Sequence, residues 1–123
     1  MLNRQLEFGK KSEAIAASYL KKKHGYKIIE QNFRSKSGEI DIIAKDKGTL
    51  AFVEVKARRS DFYGNPKFAI TPEKQRKISM VALYYLKLIG NIDVKARFDV
   101  VIVKLKNGKN EIELIKNAFE RAY

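Results

Sequence analysis

Cysteine is absent from this 123-residue chain, and histidine occurs once. The first absence excludes disulfides and cysteine-based zinc sites. The second rules out a histidine-rich metal centre. His24 itself follows "KKK" and precedes Gly25, the setting of a solvated helix end rather than of a general base. No apolar run is long enough to span a bilayer, and the opening stretch "MLNRQLEFGKKSEAIAASYL" lacks the continuous apolar core of a signal peptide. No membrane partner and a cytoplasmic location are therefore expected. Internal repeats, low-complexity tracts and linkers are also missing, so residues 1–123 are expected to form a single domain.

Acidic residues are in short supply. Lys and Arg number 26 against 14 Asp and Glu, which gives a net charge of +12 and a pI near 9.9. A domain this basic most often meets a polyanion, of which nucleic acid is the usual one. An anionic membrane surface or a generally basic proteome are the alternatives. With 45% hydrophobic and 33% charged residues, the composition is that of a folded globular protein, not a disordered one.

Periodicity divides the chain into alternating elements. Residues 4–24 read as a helix, with Leu6, Ala16, Ala17 and Leu20 recurring near a 3.6-residue period and Gly25 stopping it. "YKIIEQNFR" (26–34) is strand-like and a polar loop, "SKSG", follows. Two further strands, 39–45 and 50–57, flank a Lys-Asp-Lys-Gly turn. Residues 58–70 form a basic, aromatic loop. Thr71-Pro72-Glu73 is a helix start, with Thr as cap, Pro in the first turn and an acid beside it. That helix runs to about Ile89, burying Ile78, Val81, Ala82, Tyr85 and Ile89, and Gly90 ends it. "RFDVVIVKL" (97–105) is a strand, and Asn107-Gly108 turns the chain into a last one at 111–115. The order α-β-β-β-α-β-β predicts an α/β fold, a mixed central sheet flanked by helices.

The hairpin at 38–60 is unusual for the ionisable residues inside its apolar runs. Side chains alternate across a strand, so Phe52, Glu54 and Lys56 share one face, as do Glu39 and Asp41 on the preceding strand. A two-residue turn at Lys47-Gly48 makes paired positions sum to 95, which sets Asp41 opposite Glu54. Two carboxylates then meet with a lysine one pleat along. Like charges directly opposite each other destabilise a hairpin unless something binds them. A divalent cation reverses that cost, and an oxygen-only ligand set points to Mg²⁺ or Mn²⁺ rather than zinc. The alternative is a solvated face on which Lys56 neutralises Glu54. On the first helix, Glu13 falls on the apolar stripe, four residues before Ala17 and seven before Leu20. It reads either as a third ligand or as a rim glutamate paired with Lys10. Gln75 edges onto the inner side of the second helix near its start.

Asp41, twelve intervening residues and then Glu54-Val55-Lys56 resemble the PD-(D/E)xK nuclease signature, with Ile40 standing where the motif carries proline. The segments "GEIDIIAKD", "LAFVEVKAR", the Gly-Asn-Pro loop, "ITPEKQRKI" and "RFDVVIV" together resemble the YraN-like family of small bacterial proteins. That family is grouped with Holliday-junction-resolvase-like nucleases, and the resemblance runs from Gly9 to the terminal "NAFERAY". It implies a restriction-endonuclease-like fold and a catalytic site made by Glu13, Asp41, Glu54 and Lys56. Gln75 matches a polar helix position used by some of these nucleases. The implied activity is Mg²⁺- or Mn²⁺-dependent hydrolysis of DNA, branched DNA included, with Asp41, Glu54 and Glu13 as metal ligands. Resolvases of this kind cut two strands symmetrically, which implies a homodimer. A binding module on the same fold, with no catalysis of its own, is the rival reading. Lys21, Lys22, Lys23, Arg34, Lys36, Arg58, Arg59, Lys74, Arg76 and Lys77 are the candidate phosphate contacts. Phe62 and Tyr63 are candidates for stacking on an opened base, or for loop packing.

Overall fold

The structure, a computed structural model, describes residues 4–59, 70–106 and 108–122, without the side chains of residues 4–6, 59, 105 and 106. Its elements follow the order α1 (Arg4–His24), β1 (Lys27–Ser35), β2 (Gly38–Asp46), β3 (Thr49–Arg59), α2 (Pro72–Leu88), β4 (Ala96–Lys106) and β5 (Lys109–Phe119). This is the expected α-β-β-β-α-β-β succession, consistent with a restriction-endonuclease-like fold.

Local chemistry sets the helix ends. In α1 the basic last turn, Lys21 to His24, complements the helix dipole. Beyond it the amides of Gly25 and Tyr26 donate back to the carbonyls of Lys21 and Leu20. In α2 the Thr71 hydroxyl accepts the Lys74 amide at 3.2 Å and Pro72 fills the first turn, as expected. Ile89 corrects the expected core. It caps the helix end and stays 47% exposed, and Leu86 takes the buried place instead.

The strands lie in sequence order, β1-β2-β3-β4-β5, all neighbours antiparallel except β3 and β4. Parallel neighbours need a crossover, and α2 supplies it. Helix α1 covers one face, where Ala16 and Leu20 pack with Ile42, Val53, Val101 and Val103. Helix α2 belongs to the other, where Ile78, Val81 and Tyr85 pack with Phe52, Phe98 and Ile102. Central strands buried on both faces must read as continuous apolar runs, and "LAFV" and "VVIV" do. Each fully buried Val, Leu or Ile contributes roughly 1.5–3 kcal/mol.

The β2–β3 register is the expected one, with Ile43 paired to Phe52 and Asp46 to Thr49. The loop "SKSG" is tighter than expected: Ser35 pairs with Gly38 and only Lys36 and Ser37 make the turn. Near that turn the alternation of β2 breaks. Ile42 packs on the α1 side, yet Ile40, two residues earlier, joins the α2-side core with Phe33. Opposite the break, Asn32 of β1 has φ 54. The hairpin tip thus curls toward α2, and Gly38, at φ 145, comes so close that a Cβ there would lie 3.9 Å from Lys77 and Val81. Asp41 is the pivot of this bend.

A second irregularity organises the far end of the sheet. The β4–β5 register shifts between Phe98 and Val100, opposite a bulge in which Asn117 has φ 53. Asp99, fully buried, accepts the Asn117 amide at 3.0 Å, the Tyr26 hydroxyl at 2.8 Å and Arg97 Nε at 2.9 Å. Arg97 continues to Asp46 at 2.6 Å. Removing one partner of such a network leaves a buried charge uncompensated. Asp99→Ala is therefore expected to cost about 3–5 kcal/mol in urea unfolding; a loss below about 1 kcal/mol would show the network to be incidental.

Candidate active site

The β2–β3 ladder stops at the pair Ile42–Val53, one step short of Asp41. There Asp41 Oδ2 accepts the Val55 amide at 2.8 Å, standing in for the carbonyl that a continuing strand would offer. The bond holds the carboxylate against β3. Glu54, on the Phe52 face, comes next to it and is only 6% exposed. Its Oε2 is buried and has no hydrogen-bond partner among the described residues. Lys56 lies one pleat further along and is half-buried.

Glu13 approaches Asp41 from α1. Carboxylate oxygens of Glu13, Glu39 and Asp41 all lie within 4.8 Å of one another. So much like charge in one place favours the protonated forms of Glu13 and Glu54. Burial, then contact with the Asp41 carboxylate, pushes Glu54 up to about 9, against the opposing pull of Lys74 and Lys56. Burial, Asp41 and Glu39 push Glu13 up to about 7, with Lys10 opposing. A protonated Glu54 can donate to Asp41, which is what its unpartnered carboxyl lacks when ionised.

The same groups suit a hard divalent cation. The donors are all oxygen, α1 and β2 supply three carboxylates close together with Glu54 of β3 against Asp41, and a buried oxygen stands without a donor among the described residues. That chemistry fits Mg²⁺ or Mn²⁺.

Comparison with known proteins agrees with the resemblance to the YraN-like family. Residues 12–103 match the model of the family described as "Uncharacterised protein family UPF0102". The chain belongs to the UPF0102 family. Among its relatives, a UPF0102 protein of Desulfosudis oleivorans is 55% identical, covering 98% of this chain and 95% of its own length. One of Syntrophus aciditrophicus is 52% identical over 99% and 95%, and one of Geobacter metallireducens 50% over 94% and 93%. Residues 12–103 include Glu13, the charged hairpin and α2, so the family match spans every element of the carboxylate site.

Of the expected site residues, Glu13, Asp41, Glu54 and Lys56 come together. The Gln75 side chain is engaged with backbone: its Nε2 donates to the Ile70 carbonyl at 2.9 Å, tying the start of α2 to the preceding loop. Among the expected phosphate contacts, Lys74 is near enough to influence Glu54. Arg34 is paired with Glu39 at 2.9 Å, and Lys77 with Glu73 at 3.6 Å. Lys36 is exposed in the β1–β2 turn and Arg76 is exposed on α2. Arg58, half-buried, donates to the Ala57 carbonyl. Lys21, Lys22 and Lys23 are exposed at the far end of α1, roughly 12–15 Å along its axis from Glu13. The Arg59 side chain, Phe62, Tyr63 and the Gly-Asn-Pro loop lie outside the described residues. Sequence reasoning missed Glu39 and Lys10 as members of the site. The signal for Glu39 was its place two residues before Asp41 on one strand.

A carboxyl with a raised value in the folded state favours the protonated fold. The stability it contributes is full below the ordinary 4.5 and is lost as pH rises through about 7 for Glu13 and about 9 for Glu54. In EDTA, wild-type stability should fall relative to Glu54→Gln from about pH 5 to about pH 9, by more than about 1 kcal/mol in urea unfolding. Parallel profiles for the two proteins would contradict the buried-acid assignment.

Proposed function

We propose that the protein is a divalent-cation-dependent nuclease hydrolysing phosphodiester bonds in DNA, with branched forms such as the four-way junction as its substrate class. The observation that carries this reading is the buried Glu54 carboxyl, without a partner at Oε2 among the described residues and set against Asp41 beside Lys56. A fold-stabilising carboxylate would have its oxygens satisfied, as those of Asp99 are.

Each residue has a role its environment supports. Asp41, Glu54 and Glu13 would hold Mg²⁺ or Mn²⁺. A bound cation supplies Lewis acidity for water activation and offsets the charge that builds on the phosphoryl oxygens. Asp41, fixed by the Val55 amide, orients the site. Glu54 and Glu13, whose neutral forms burial favours, would have to be ionised to hold it. Lys56 offers an ammonium group to the attacking water or to the phosphoryl oxygen as charge develops there. Lys74, at the start of α2, adds positive charge where the helix dipole also favours a phosphate. The surplus of 26 basic over 14 acidic residues supports a polyanionic substrate.

The test is cleavage of a labelled four-way junction beside linear duplex and single strand, with Mg²⁺, Mn²⁺ or EDTA. Wild type should cut only with a cation, and Glu54→Ala and Lys56→Ala should each lose about 10²-fold or more in rate. Tight binding with no cutting in any metal would replace the nuclease by a binding module on the same fold.

A further inference from the structure

Beside the carboxylates an open groove of about 530 Å³ runs between α1 and the β1–β2 hairpin. Its walls carry Lys10 and Glu13 from α1, and Gln31, Asn32, Arg34 and Glu39 from the hairpin. Carboxylates and cations thus share one trough. Two of its acids, Glu13 and Glu39, have oxygens within 4.8 Å of Asp41, which in turn contacts Glu54, whose buried Oε2 has no partner among the described residues. The Arg34–Glu39 ion pair, at 2.9 Å, occupies one Glu39 oxygen beside the other acids.

We propose that Glu39 is a further cation ligand masked by Arg34, and that cation binding frees Arg34 to take a backbone phosphate of a strand lying in this groove. The inference rests on the nuclease reading and deepens it, assigning the strand its path. Magnitudes favour the exchange. The Arg34 side chain is 77% exposed and that of Glu39 32% exposed, and an ion pair so open to solvent is worth at most about 1 kcal/mol. A divalent cation among the Glu13, Glu39 and Asp41 oxygens, which lie within 4.8 Å of one another, would outcompete it. The released guanidinium presents a planar fork of donors, the geometry that matches phosphate oxygens. Lys10, on the opposite wall, is the second contact to the same strand.

The exchange predicts a pattern that a static surface pair does not. By calorimetry, Arg34→Gln should bind Mn²⁺ about threefold to tenfold more tightly than wild type. Lys36→Gln, which removes a neighbouring charge that makes no bond to the cluster, should change it less than about twofold. In the Glu39→Gln background, Arg34→Gln should have no effect. On Lys56→Ala protein, used to suppress cutting, Arg34→Gln should weaken binding of a short duplex with Mn²⁺ present and leave it unchanged in EDTA. Unchanged Mn²⁺ affinity in Arg34→Gln, or an equal loss of duplex binding with and without Mn²⁺, overturns the exchange. If Glu54→Gln meanwhile abolishes Mn²⁺ binding, the nuclease reading survives that failure. Mn²⁺ binding that is absent in wild type, or unaffected by Glu54→Gln, overturns both.

Discussion

One hydrogen bond organises the site: the Val55 amide to the Asp41 carboxylate. Had β2 and β3 stayed paired, a backbone carbonyl would have satisfied that amide, and Asp41 would have been one more strand residue. The ladder instead ends at Ile42–Val53, the hairpin tip bends toward α2, and the side chain completes the pairing. Bending opens the sheet where Glu13 of α1 and Glu54 of β3 can both reach Asp41. Loss of this bond would release the carboxylate on which the other two depend.

Charge governs the rest of the site. A protein with net charge +12 concentrates four of its few acids in one place, with Lys10, Lys56 and Lys74 close enough to pull on them. These cations do not fully compensate, because Glu13 and Glu54 still have raised values. Stability alone would favour an apolar or fully paired site. The Asp99 network shows how this fold satisfies a structural carboxylate: three donors, total burial and an arginine alongside. Among the described residues nothing donates to Glu54 Oε2, and the proposed cation-binding role rests on that contrast.

Much of this was legible in the chain, for reasons that differ by residue. Alternation and a two-residue turn were enough for the hairpin register, since turn length fixes which residues of the two strands face each other. Glu13 stood out because a carboxylate on an apolar stripe needs a reason to be there. The break at Asp41 was invisible, because it depends on an unusual φ at Asn32 across the ladder and on contact with α2. Glu39 was placed on the face of Asp41 but not in the site; only the approach of α1 makes it part of a cluster. Ile89 followed the helical period, yet Gly90 ends the helix before that position can turn inward. Asp99 sat in full view in "RFDVVIV", but its partners come from Tyr26 and the β5 bulge, far away in sequence.

The central claim is that Asp41, Glu54 and Glu13 form a cation site that holds protons when metal-free. Calorimetric Mn²⁺ titrations near pH 8, repeated in buffers of different ionisation enthalpy, count the protons expelled on binding. The account predicts release of close to one proton per chain in wild type, coming mainly from Glu54 with its value of about 9. Binding that releases no proton would contradict it, because the carboxylates would then already be ionised and the cation would be held elsewhere.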